Sequence, residues 1–271
     1  MVTLPLLFDP AATFQCGQCF RFSQPQPGVF RGIARHHALT VIRQGDTLLL
    51  SCGPAEFDRV WRDYLDLDTD YPAIIRQLSA FSPLLCEAAA CAGGIRILRQ
   101  DPWEALCSFI LSQNNNIPRI CGIIDRFCVL LGKPLPGGGF DFPTPQQLAA
   151  CSLEDLAPLR AGFRAKYLLS AARLVTGGQV DPVSCCTLPL PQAREMLQQI
   201  HGVGPKVAEC VLLYGCHRLE AFPMDVWMHR VMEKWFPGKK PEDFGPYAGI
   251  AQQRIFHYSR LHPALFHESG S

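Results

Sequence analysis

Between Phe14 and Cys52, apolar and polar residues alternate in short runs, FRF, GVFRGIARHHALTVI and DTLLLSC, divided by Pro-Gly and Gly-Asp turn signals. Alternation sends successive side chains to opposite faces, so runs of this kind separated by turns predict antiparallel strands. Helical spacing begins near Glu56 in EFDRVWRDYLDLD and dominates from Asp101 onward, which puts a soft boundary near residue 95. The expected organisation is a small β-rich unit over residues 1–95 and a helical unit over 96–271. The fold class is therefore α+β, an antiparallel sheet packed on an all-α domain.

Helix ends are well signalled in the second unit. DPWEALCSFILSQ opens with Asp101 as a cap, Pro102 at the first helical position and Glu104 three residues after the cap. Three asparagines then interrupt. Ile117, Ile120, Cys121, Ile124, Phe127, Cys128 and Leu131 follow at i, i+3, i+4, i+7 spacing, an amphipathic helix with Arg119 in its first turn, so the asparagines sit on a loop at a helix start. KPLPGGGFDFPTP reads as a linker, and RAKYLLSAARLVTGG as a helix stopped by Gly177 and Gly178. Further helices are expected over 192–200, 205–215, 225–235 and 246–260.

The 271 residues, 48% of them hydrophobic, allow an ample core, and a net charge of +1 provides no basic field for nucleic acid. Any DNA-binding reading must rest on local geometry. Thirteen cysteines, an odd number, lie between Cys16 and Cys216, and MVTLPLLFDP lacks the features of a signal peptide. Free thiols in a reducing cytoplasm are expected. Cys16 and Cys19 form a CxxC with no second pair at a zinc-ligand spacing, so buried thiols and no metal are expected. No apolar run reaches the roughly 18 to 20 residues needed to span a bilayer.

Candidate chemistry concentrates at HGVGPK. Ala193, Met196, Leu197 and Ile200 form one helical stripe, Val207, Ala208, Val211 and Leu212 another, and HGVG joins them as a tight hairpin. Gly202 and Gly204 permit positive φ, and Pro205 suits a first helical position. The turn amides of Gly202, Val203 and Gly204, at a helix N-terminus, favour a phosphate oxygen. Lys206 stands one residue inside that helix, where the positive end of the dipole and partial burial disfavour the ammonium and make a neutral amine available as a nucleophile. Asp225, which caps VWMHRVMEKW, holds a carboxylate in fixed orientation. Each has a blander role, Lys206 as a phosphate contact and Asp225 as a cap alone.

LPLP…IHGVGPK resembles the helix-hairpin-helix of DNA-binding proteins, and with Lys206 and Asp225 in AFPMDVWMHR it is similar to the helix-hairpin-helix DNA glycosylases. No cysteine follows Cys216, so the iron–sulfur cluster of some relatives is not expected. FQCGQCFRF, FDRVWRDYLDLDTDY, GIRILRQDPWEALCSFILSQNNNIPRI and PYAGIAQQRIF resemble, in order, motifs of the 8-oxoguanine DNA glycosylases, and identify the chain as a bacterial-type member.

The resemblance implies a monomeric, cofactor-free glycosylase and abasic-site lyase acting on duplex DNA containing 8-oxoguanine, preferably opposite cytosine, in the cytoplasm at the nucleoid. Lys206 would attack the sugar and Asp225 would assist. Cys210 and Phe256 would sandwich the flipped base, Gln252 would read its Watson–Crick edge, and the Gly17 carbonyl would accept the N7 hydrogen that guanine lacks. Asn114, Arg119 and Arg164 would hold the opposite cytosine. Phe163 fills the wedge position, where eukaryotic members typically have tyrosine, and Trp227 stands where many have a histidine near the phosphate. The alternatives are an endonuclease-III-like glycosylase for oxidised pyrimidines and a non-enzymatic helix-hairpin-helix DNA-binding module.

Overall fold

A computed structural model describes residues 1–265, so the last residues of the 96–271 unit, 266–271, lie outside the described residues. Strands β1 (Val2–Pro5), β2 (Phe22–Gln26), β3 (Val29–Ala34), β4 (His37–Gln44) and β5 (Thr47–Leu50) form one sheet in the order β1-β5-β4-β3-β2. All its pairings are antiparallel. The alternation works as expected: Phe30, Leu39, Val41, Leu48 and Leu50 turn to one face and bury against Phe8, Phe14, Trp61, Tyr64 and Leu65. Two details differ from the sequence reading. β1 was missed because VTLP is short and ends in proline, and GVFRGIARHHALTVI is two strands folded back at Arg35 and His36, with φ of 48° and 67°. Positive φ at both central residues is the two-residue hairpin turn that Asn-Gly usually signals, and Arg-His carries no such signal.

Helix α1 (Pro10–Phe14) precedes β2. After the sheet, α2 (Pro54–Glu56), a π-helical turn over Phe57–Trp61 and α3 (Arg62–Tyr64) run on continuously, with Trp61 buried and its Nε1 donating to Glu56 Oε1 at 2.8 Å. Helices α4 (Tyr71–Ser79) and α5 (Pro83–Cys91) precede residue 95, yet Tyr71, Ile74, Leu78, Leu84, Leu85 and Ala88 pack into the helical core. The layer they join holds α6 (Pro102–Ser112), α7 (Ile117–Leu131), α8 (Pro145–Ala149), α9 (Arg164–Thr176), α10 (Leu190–Gln198), α11 (Pro205–Tyr214), α12 (Val226–Trp235) and α13 (Ala248–Leu261). Asp101, Asn116, Thr144 and Asp225 each accept the amide three residues on, which fixes where α6, α7, α8 and α12 begin. Glu104 does not complete a capping box at α6; its carboxylate faces Arg21 from the N-terminal unit at 3.4 Å. Burial pushes the Glu104 carboxyl up to about 7 although Arg21 draws it down.

The two layers are joined by buried polar groups. Gln18, fully buried, donates through Nε2 to Thr13 O at 2.9 Å and Arg96 O at 2.7 Å, accepts Leu98 N at 2.9 Å, and gives its own carbonyl to Gln100 Nε2 at 2.7 Å. One side chain thus pairs with residues 96 to 98 as a neighbouring strand would. Asp66 accepts Thr69 and Tyr71 hydroxyls and Arg99, and lies 3.2 Å from His217. Burial raises its pKa, but His217, Thr69 and Arg99 outweigh that and hold it at about 2. Arg254 of α13 is buried and donates to Ala92 O at 2.6 Å and Ile95 O at 3.2 Å, clasping the last helix to the end of the first unit.

Candidate active site

A cavity of about 490 Å³ opens between α6, α11, α13 and the segment after α1. Gly17, Lys206, Cys210, Asp225, Gln252 and Phe256 all line it, so residues from both ends of the chain meet at one place. Asn114, Arg119, Phe163 and Arg164 do not line it. Phe109, Asn115, Asn116, Tyr214 and Arg260 do, and the sequence reading gave them no role. Arg260 is four residues after Phe256, and its guanidinium lies 5.7 Å from the Phe256 ring centre; that i, i+4 spacing was the signal available for it.

Lys206 is half-buried in the first turn of α11, its Nζ 5.7 Å from the centre of the Phe109 ring. Its neighbour one turn on, Cys210, is buried; desolvation pushes the thiol's pKa up while the nearby Lys206 draws it down. Asp225 accepts Met228 N through Oδ1 at 2.7 Å, the expected cap, and lines the cavity with Lys206. The strap leading to Asp225 is fixed as well. Glu209, on α11, pairs with Arg194 of α10 at 2.5 Å through Oε1 and accepts Phe222 N through Oε2 at 2.8 Å. One carboxylate therefore ties both hairpin helices to the segment that presents Asp225.

Gln252 is buried, and its Nε2 donates to Pro223 O at 3.1 Å while its Oε1 has no partner. An amide oxygen buried without a donor is costly, and a purine edge rich in N–H groups supplies what it lacks. Gly17 has φ of +90°, which a side-chain-bearing residue rarely adopts, and its position is set by Gln18 through the pairing with residues 96 to 100.

The hairpin turn departs from the sequence reading in detail. Gly202 has φ of +85°, and a Cβ there would stand 2.4 Å from the Tyr167 ring, so both backbone and packing require glycine. Gly204 is extended at φ of −93° and its surroundings are open, so it has no need of positive φ. Val203 is buried and its amide donates to Ile200 O at 2.9 Å. The amides of Gly202 and Gly204 have no backbone acceptor among the described residues.

Outside the cavity, Phe163 is 48% exposed and rests edge-on against Tyr167 at 5.5 Å, which in turn meets His201 at 5.0 Å. Asn114 and Arg119 are exposed, Asn114 with φ of +46°. Arg164 turns inward: it is buried and donates to Gln113 O, to Asn114 O at 2.7 Å and to Ala161 O at 3.2 Å. Among the described residues no group of three or more His, Cys, Asp and Glu side chains is placed to hold a metal ion, and no helix is long and apolar enough to cross a membrane.

A glycine-containing hairpin that presents a lysine, and the cap of the next helix that presents an aspartate, to one cavity define a helix-hairpin-helix glycosylase architecture, and residues 107–243 match the HhH-GPD superfamily of base excision DNA repair proteins. Residues 2–106 match the 8-oxoguanine DNA glycosylase N-terminal domain. The chain belongs to the 8-oxoguanine DNA glycosylase family of that superfamily. It is 30% identical to the N-glycosylase/DNA lyase OGG1 of Arabidopsis thaliana, over 94% of this chain and 76% of the relative. The structure of MBOgg1 in complex with a low affinity DNA ligand superposes with a TM-score of 0.89 at 38% identity, covering 96% of this chain and 94% of that one. The Clostridium acetobutylicum 8-oxoguanine glycosylase/lyase, solved with double-stranded DNA containing cytosine opposite 8-oxoG, gives a TM-score of 0.89 at 35% identity with the same coverage.

Proposed function

We propose that this protein excises 8-oxoguanine from duplex DNA with Lys206 as nucleophile and then cleaves the abasic strand by β-elimination. Base-excision repair of 8-oxoguanine by a combined N-glycosylase and DNA lyase is the activity of its family. The observation that carries the mechanism is the meeting of Lys206, Asp225 and the partnerless Gln252 oxygen in one cavity.

The flipped nucleotide enters the cavity between Cys210 and Phe256, its Watson–Crick N–H groups toward Gln252 Oε1 and its N7–H toward the Gly17 carbonyl. Guanine has a lone pair at N7 and loses that bond, a difference of roughly 1–3 kcal/mol. The Lys206 amine attacks C1′, the C1′–N9 bond breaks and its electron pair leaves with the base. Asp225 takes up the lysine proton and stabilises the positive charge that develops on the sugar. Ring opening leaves a Schiff base between Nζ and C1′. Water takes up the acidified C2′ proton, the C2′=C3′ bond forms and the C3′–O3′ bond breaks, so that the 3′ phosphate leaves with the electron pair. Asn114 and Arg119 hold the orphaned cytosine, Arg164 joins them by giving up its bonds to the Gln113 and Asn114 carbonyls, Phe163 fills the gap, and the Gly202 and Gly204 amides receive a backbone phosphate, with Val203 packing the turn beneath them. A division of the chain at residue 95, a monomeric state and cytoplasmic action at the nucleoid complete this reading.

Borohydride trapping on duplexes with 8-oxoguanine opposite each of the four bases tests it, with Lys206→Gln alongside. A covalent product with wild type alone, strongest opposite cytosine, is expected. Equal trapping opposite all four bases removes the cytosine preference and keeps the lysine. Trapping by Lys206→Gln, or its absence in both proteins, removes the nucleophile assignment.

A further inference from the structure

Trp227 stands where, by the resemblance, many eukaryotic members have a histidine near the phosphate; here its indole faces the protein. Nε1 donates to Ser259 Oγ at 2.7 Å, and Ser259 Oγ lies 2.9 Å from the Phe256 carbonyl oxygen. Directions follow from chemistry. Indole nitrogen is a donor only, so the hydroxyl accepts from Trp227 and its single proton goes to Phe256 O. Ser259 is fully buried, so water does not compete for either bond.

The relay joins two elements of the proposed site. Trp227 is the second residue of α12, whose cap is Asp225; Phe256 and Gln252 stand on α13. Both residues lie on the wall of the same cavity as Asp225. We infer that Trp227 and Ser259 are positioning residues for base recognition, setting the distance between the carboxylate at the head of α12 and the stacking ring on α13. The inference rests on the proposed function, in which Phe256 stacks on the flipped base.

The consequence is selective. A preformed abasic nucleotide has no base to stack, so only steps that involve the base depend on the relay. Trp227→Phe keeps the ring and removes the donor; Ser259→Ala removes one oxygen. Each is expected to slow single-turnover excision of 8-oxoguanine roughly three- to tenfold, the range one hydrogen bond supports. The double variant is expected to be no slower than the worse single one, because both remove the same link. Cleavage of preformed abasic duplex should stay within about twofold of wild type, as should affinity for a tetrahydrofuran-containing duplex.

Equal slowing on the base-containing and abasic substrates would reduce the pair to a structural role and overturn the inference, as would additive effects or none. Weaker binding of the tetrahydrofuran duplex by Trp227→Phe, with a shallower salt dependence and a silent Ser259→Ala, would make Trp227 a phosphate contact instead. Thermal melting of both single variants guards against misfolding, and Ser259→Cys, which keeps a small polar side chain, replaces Ser259→Ala if the latter melts early. Absence of 8-oxoguanine excision in wild type would defeat the proposed function itself, an outcome distinct from variants that match an active wild type.

Discussion

The cavity wall and the DNA-facing rim are built on opposite terms. On the wall, Asp225 is held by Met228 N, Gln252 by Pro223 O, and Gly17 by the Gln18 pairing with residues 96 to 100. On the rim, Asn114 and Arg119 are exposed, Phe163 is half exposed between Tyr167 and the Arg164 guanidinium, and Arg164 points away from solvent into the loop that carries Asn114. On the proposed function, the contrast means that the chemistry is organised before DNA arrives, whereas any grip on the opposite strand is completed by binding. A pre-set wall spares reorganisation in the reacting state, and a loose rim tolerates a duplex that must be bent and opened.

The largest effect that sharpens this contrast is expected at Asp225. Asparagine caps a helix as well as aspartate does, so Asp225→Asn should leave thermal unfolding unchanged and lower single-turnover excision by about 10²- to 10³-fold. A comparable fall in stability would make the residue a cap alone. Next is Gln18→Ala, which leaves Arg96 O and Leu98 N buried without their partner; urea unfolding should show a loss on the order of 3 kcal/mol, with excision falling in parallel. On the rim, Arg164→Ala should destabilise the DNA-free protein by about 1–3 kcal/mol, because Gln113 O and Asn114 O lose a charged donor. Phe163→Ala should leave stability within about 0.5 kcal/mol and weaken binding of lesion duplex several-fold in a fluorescence anisotropy titration. If Arg164→Ala proved as neutral to folding as Phe163→Ala, the rim would be uniformly loose and the contrast with the wall would sharpen.

The smallest effect is one of pH and lies away from both regions. Glu104 is raised in the folded protein from 4.5 to about 7, so folding takes up a proton between those values. Its contribution to stability is fully present below about 4.5 and is lost as pH rises through 7. Glu104→Gln, which keeps an acceptor for Arg21, should therefore melt about 2–4 °C above wild type at pH 8 and level with it at pH 5. An unchanged difference between the two pH values would mean that Arg21 keeps the carboxylate ionised.

Much of this was legible because the local signals are strong where the chemistry sits. Asp101, Asn116 and Asp225 cap their helices with short polar side chains, and IHGVGPK marks the hairpin outright. What escaped the sequence was set by contacts distant along the chain. The inward rotamer of Arg164 depends on carbonyls of a loop some fifty residues earlier, and α5 joins the helical core because α13 returns to pack on it, carrying α4 along. The Val203 amide is satisfied by the turn it belongs to, a bond that residue type cannot announce.

The clasp of α13 by Arg254 has a further consequence for synthesis. Of the residues that line the cavity, Gly17 precedes Lys206 and Asp225 along the chain and Gln252 and Phe256 follow them, and Arg254 between those last two locks α13 onto Ala92 and Ile95. A nascent chain that has just released Asp225 already holds the hairpin, the lysine, the carboxylate and the Gly17 side of the cavity, but lacks the side built by Gln252 and Phe256. The order of translation thus withholds one side of the cavity until α13 is made, and a product interrupted before it is left with the hairpin and a cavity open on that side.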